Sequence, residues 1–213
     1  MGTTAVKLIA RFFKRRDEQQ DEVFSLATAV DFLNEAQQEL IGLKLLVKEA
    51  VLTFPADDAE IDLPSDFAAL ATDRAYMDNY AHLWNDYDGP TSSGLFILPG
   101  RKAIRFYPAV PVDTEIRFKY FYVPPEIEAD PDDDVEVMDG LVAPALDKYL
   151  LNRMLELAAF IDDEAQMGEY YSNRADKAKS EIVLWKQNVY NTEQATWVED
   201  PWIEESDAYT ENY

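Results

Sequence analysis

Two helical periodicities in the last third of the chain limit the possible folds most. Val142, Leu146, Leu150, Met154 and Leu157 recur at steps of three or four residues. Tyr171, Ala175, Ala178, Ile182, Trp185 and Val189 alternate steps of four and three. Residues so spaced share one helix face. Asp162-Asp163 lies between the two runs and breaks the repeat. The pattern predicts two long helices, antiparallel, joined by a short turn.

The earlier chain extends the helical reading. Leu26, Val30, Leu33, Leu40 and Val47 fall on one face of a helix from Ser25, whose side chain can accept from an early backbone N–H. Pro55-Ala56-Asp57-Asp58 separates two short apolar runs and reads as a hairpin turn. Ser65 or Asp66 would then cap a second helix running to Asp78 or Tyr80. Residues 89–124 read as strands. Pro99-Gly100 fits a type II turn between two of them. In "TEIRFKYFYV", Ile116, Phe118, Tyr120 and Tyr122 share one side, while Glu115, Arg117 and Lys119 share the other. That is a half-buried strand. The expected fold is mainly α: a helical bundle carrying a small antiparallel β-rich lobe, with extended N- and C-terminal arms. The expected division is 1–24 as a basic arm or short helix, 25–190 as the body, and 191–213 as an acidic aromatic tail.

Charge narrows the partners. The chain has 213 residues and a formal net charge of −23. Repulsion on that scale favours solubility and opposes attraction to nucleic acid or an anionic membrane, both of which call for basic surface. The first 16 residues are the exception, with five cations and no acid. Within them "AVKLIARFFK" can form a basic amphipathic helix. Lys7, Arg11, Phe12 and Phe13 would then dock on the body or meet a subunit or partner. Membrane binding is disfavoured by the acidic remainder. The opening has the wrong order for a secretory signal, and Val6 stands where myristoylation prefers a hydroxyl. No apolar run approaches the roughly 20 residues of a membrane span. The expectation is a soluble intracellular product.

Chemistry is sparse. With no cysteine and a single histidine, His82, thiolate and multi-histidine metal sites cannot form. Gly89 and Gly94 have the spacing of a phosphate-binding loop, but Leu95 and Phe96 replace its lysine and hydroxyl. Asp130, Asp132 and Asp134 alternate like calcium ligands, but Val135 and Leu141 replace the turn glycine and the closing glutamate. No catalytic residue, metal site or cofactor is expected.

The order of segments is more specific. "LNEAQQEL" leads to "IDLPSDF", then to "IRFYPAVPVDTEIRFKYFYVPPEIEADPDDDVEV", then to the closing helical pair. This order resembles the head–tail adaptor (connector) proteins of tailed bacteriophages, over about residues 25–190. The resemblance implies a structural virion protein at the head–tail junction, made in the host cytoplasm and without a catalytic site. It implies a ring, typically of twelve copies, between the portal protein and a tail or nozzle protein. DNA would pass the lumen without specific binding. An alternative from charge alone is an acidic binding module, or DNA mimic, acting on a basic partner.

The last stretch, "TWVEDPWIEESDAYTENY", sets aromatic rings among acids with no lysine or arginine. Buried aromatic residues provide much of an interface's energy. Trp197, Pro201, Trp202, Ile203, Tyr209 and Tyr213 are the candidate portal-binding anchors; the other reading is an acidic tail packed on its own body.

Overall fold

A computed structural model describes residues 2–16, 23–77, 80–85, 93–98 and 102–196. Helices α1 (Ala5–Arg16) and α2 (Leu26–Ile41) come first. Strands β1 (Val47–Phe54), β2 (Glu60–Asp62), β3 (Phe67–Met77), β4 (Tyr80–Asn85), β5 (Gly94–Leu98), β6 (Ala103–Tyr107) and β7 (Thr114–Tyr122) follow. A short turn at Val137–Gly140 precedes α3 (Leu146–Ile161) and α4 (Ala165–Thr196). Two compact units divide these elements. The first holds 7–33 and the chain from 142; the second holds 2–6 and 34–141.

The first unit is helical. Helix α2 starts as expected: the Thr28 N–H donates to Ser25 Oγ at 3.1 Å. It stops at Ile41, so Val47 lies outside it, exposed in β1. The turn at 162–164 folds α4 back along α3. Lys148, early in α3, lies 4.0 Å from Glu181, well along α4, which fixes the antiparallel sense. Leu146, Leu150 and Met154 are buried, as are Ala175, Ala178 and Ile182. Val142 lies before α3 and is exposed. Small residues on the α4 seam let the helices approach closely. Gly168 shows why: a Cβ there would come within 3.1 Å of the Phe160 ring.

The second unit is a seven-stranded mixed sheet in the order β1-β7-β3-β4-β5-β6-β2. Neighbours run antiparallel except β4 and β5. The two edge strands approach one another, so the sheet curls into a nearly closed barrel. Its inner face is aromatic. Trp84 meets Phe118 edge-on at 5.5 Å, and Phe54 and Phe106 lie 6.3 Å apart. Strand β7 has the expected alternation, with Ile116, Phe118, Tyr120 and Tyr122 buried.

This sheet overturns the expected bundle with a small antiparallel lobe near 89–124: strands begin at Val47. The supposed second helix after Asp66 is β3. Its alanines and leucine favour a helix locally, but pairing with β7 and β4 outweighs that preference. The supposed hairpin at 55–58 is a turn without a hairpin. The Asp58 N–H does donate to Pro55 O at 3.1 Å. However, β1 pairs with β7, and β2 pairs with β6.

Candidate functional site

Helix α1 belongs to the core. Phe12 is 0% exposed and Phe13 is buried. Phe12 meets Phe13, Phe24 and Phe32 at ring separations of 5.3, 6.3 and 6.1 Å. Arg11 Nη1 lies 3.0 Å from Asp147 Oδ2, and Arg16 pairs with Asp162. Lys7, Lys14 and Arg15 are exposed. Thus of Lys7, Arg11, Phe12 and Phe13, the two rings pack inside the chain and only the two cations face solvent. Trp197, Pro201, Trp202, Ile203, Tyr209 and Tyr213 lie outside the described residues, as does the Pro99-Gly100 turn.

The sequence motifs turn out to be polar fasteners of the second unit. Asn34 Nδ2 donates to Ile127 O at 2.9 Å, and the Ile127 N–H donates back to Asn34 Oδ1 at 2.9 Å. Gln37, buried at 3% exposure, accepts the Met138 N–H at 2.6 Å through Oε1. Its Nε2 donates to Asn34 Oδ1 at 3.3 Å. These two residues of α2 therefore hold the long segment between β7 and α3 at two points. The second point is strained. Met138 and Asp139 have φ of 49° and 51°, a left-handed conformation uncommon outside glycine. Gly140 follows at φ +75°, where a Cβ would collide with the Glu136 carboxylate. Burial of Met138, its bond to Gln37, and a bond from Tyr122 OH to Asp139 Oδ2 hold the turn.

Asp66, from "LPSDF", is a second fastener. Lys48 Nζ donates to Oδ2 at 3.0 Å and Tyr120 OH to Oδ1 at 2.9 Å. Lys48 also sits 3.8 Å over the Tyr122 ring. Burial pushes the Asp66 carboxyl up, but the bonds from Lys48 and Tyr120 and the Lys48 charge outweigh it and hold it below 3.8. Burial, then the bond to Asp66, pushes the Tyr120 phenol up to about 12. Burial and Asp139 raise Tyr122 as well.

The signs follow from linkage. A lowered carboxyl pKa stabilises the fold above the unfolded value, and that contribution is lost as pH falls through the folded one. A raised phenol pKa stabilises it below about 10, and that contribution is lost between about 10 and about 12. Urea midpoints taken across pH should therefore fall less steeply below pH 4 in Asp66→Asn, and less steeply above pH 10 in Tyr120→Phe, than in the parent. Parallel curves would remove this hub from the pH response.

Some large apolar residues stay exposed. The outer face of the sheet carries one row across four strands: Val51 opposite Arg117, Arg117 opposite Tyr76, and Tyr76 opposite Ala81. Val51, Tyr76 and the nearby Leu83 are exposed. The α3–α4 turn of the first unit carries exposed Phe160, Ile161, Met167 and Tyr170. Exposed apolar clusters of this kind mark interaction sites more often than single exposed residues do. His82 packs edge-on against Phe106 at 5.5 Å, a packing role inside the sheet. Among the described residues, no three histidine or carboxylate groups are placed to hold a metal ion. Among them, too, no helix is long and apolar enough to cross a membrane.

Sequence reasoning found the motif segments but not their bonding, and it missed both exposed clusters. Phe160-Ile161, two large apolar residues directly before the Asp162-Asp163 break, was the available signal. Compared with known proteins, residues 3–198 match a family model described as SU10 adaptor protein. No curated protein matches the chain.

Proposed function

Because this chain belongs to the SU10 adaptor protein family, a family of phage structural adaptors, we propose that it forms a ring between the portal and the tail of a tailed phage, with DNA passing through the ring. The match across residues 3–198 carries this reading. Several features support it. The motif residues Asn34, Gln37 and Asp66 bind other parts of the same chain rather than composing a catalytic constellation. Each unit presents an exposed apolar cluster, and a closed ring needs two unlike faces on every subunit. The net charge of −23 opposes tight binding to DNA phosphates, which suits a channel through which DNA slides.

The tail from Trp197 is the proposed portal anchor, with Trp197, Pro201, Trp202, Ile203, Tyr209 and Tyr213 as its contact residues. Helix α4 runs to Thr196, so the informative truncation removes 197–213. Electron cryo-microscopy of the matching portal mixed with full-length or truncated protein tests both parts. The expected result is a ring on the portal with the full chain and none with the truncated chain. A ring that survives truncation would keep the adaptor and remove the anchor. No complex with either form, together with competition against DNA for a basic protein, would favour the acidic mimic.

A further inference from the structure

Strand β1 ends the sheet order, and its backbone faces two ways. The Tyr122 N–H donates to Leu46 O at 3.2 Å, and the pairing then runs without a break from Val47 opposite Phe121 to Phe54 opposite Thr114. In an antiparallel ladder only alternate residues bond to a given neighbour. Leu46, Lys48, Ala50 and Leu52 therefore bond to β7, while Val47, Glu49 and Val51 turn their N–H and C=O groups to the other side. Among the described residues, no strand pairs with that side. The opposite edge strand, β2, has three residues against eight in β1, so it cannot cover the length of β1 where the two approach. It follows Phe54 after a short turn, which leaves residues 47–51 as the open part.

An open edge is a template for a further strand, and folded proteins blunt it with proline, a bulge, short length or outward lysines. Edge strand β2 is short and carries Glu60 and Asp62. Edge strand β1 has none of these guards. It is long, it has no bulge or proline, and its one lysine, Lys48, is bonded to Asp66. Val47, Glu49 and Val51 share the outer face and are exposed. An added strand would set residues directly opposite these three, where cross-strand pairs select by size and charge. Strand β7 shows what fits on the side already taken: Phe121 opposite Val47, Lys119 opposite Glu49 and Arg117 opposite Val51. Charge argues against this chain as the source of the added strand. Residues 197–213 contain no lysine or arginine, β7 is already paired on both sides, and at a net charge of −23 a second copy is repelled. We infer that β1 takes up an extended strand of a different protein, antiparallel to it, with a cation between two apolar residues at alternate positions. The ring reading neither requires nor excludes such a partner.

Amide hydrogen exchange of the full-length protein, followed residue by residue by NMR, tests this with and without a peptide. The probe is a short peptide in which threonines alternate with valine, lysine and valine in that order. In the dilute free protein, the amides of Val47, Glu49 and Val51 should exchange fast, and those of Lys48 and Ala50 slowly. Saturating peptide should slow the first three by at least about tenfold. Methylating the peptide nitrogens of valine and lysine, which would face β1, should abolish this protection; methylating those of the threonines should not. Glu49→Lys should weaken the peptide about fivefold, while the same change at exposed Glu128 should not, which separates the local pair from the overall charge. Protection of the three amides in the dilute free protein would show the edge already covered and overturn the inference. So would a peptide that protects nothing, equal effects of the two methylation patterns, or equal effects at Glu49 and Glu128. Protection that rises with protein concentration alone would assign the edge to a second copy and overturn the choice of partner. The portal experiment judges the ring reading separately, and each of these outcomes leaves that reading in place.

Discussion

Replacing Phe12 with alanine is expected to destabilise the protein by about 4 kcal/mol, the range for emptying a buried aromatic site. Phe12 is fully buried, and its ring touches three other phenylalanines. Two of them, Phe24 and Phe32, come from the chain beyond α1. The cavity would therefore open between α1 and its neighbours rather than at a frayed end. A neighbouring surface change such as Lys7→Ala should stay within about 0.5 kcal/mol. Urea unfolding of the two variants gives the comparison directly. A loss below about 1 kcal/mol for Phe12→Ala would mean that α1 holds on by its ion pairs and is only lightly packed.

Asn34→Ala should cost about 3 kcal/mol, since it strands two backbone groups of Ile127 and one bond from Gln37. The more discriminating variant is Asn34→Asp. It keeps an acceptor for the Ile127 N–H but sets a carboxylate against the Ile127 carbonyl, which can only accept. If the two-way bond is what holds the segment, aspartate should be nearly as harmful as alanine. Proteolysis between β7 and α3 should then quicken in both, because the loss is local before it is global. Combining Asn34→Ala with Gln37→Leu should cost less than the sum, as expected for residues sharing one network. Strict additivity would show that the two fastenings act independently.

The parts of this fold that can be read from sequence are those whose periodicity is answered locally. The α4 seam from Ala175 to Ile182 and the alternation of β7 from Ile116 to Tyr120 each repeat a single period, which in β7 ends only where Phe121 is buried as well. Strand β3 does not. Its register against β7 shifts between Leu70 and Ala75, and across that bulge neither a period of two nor one of 3.6 survives. What remains is an alanine-rich stretch after a good capping residue, which imitates a helix start. Strand β1 was hidden differently. Its Val47 also fits the apolar face of α2, and nothing local says that the helix has already stopped at Ile41. The candidate site shows the same division. "LNEAQ" stood out as a motif, but Asn34 and Gln37 bond to backbone 93 and 101 residues away, and no local pattern encodes such partners.

Helix α4 is twice as long as α3, 32 residues against 16, and the pairing of Lys148 with Glu181 aligns the start of α3 with the middle of α4. Roughly its final three to four turns thus run on past its partner, and Thr196 stands about 20 Å farther along the axis than the start of α3. A rod of this kind conveys bearing as well as distance. One added turn would advance the end of α4 by about 5.4 Å with nearly the same heading, whereas two added residues would advance it by about 3 Å and swing it to the opposite side. The helix therefore works here as a ruler with a compass attached, which sets its end at Thr196 at a fixed reach and in a fixed direction from the α3–α4 seam.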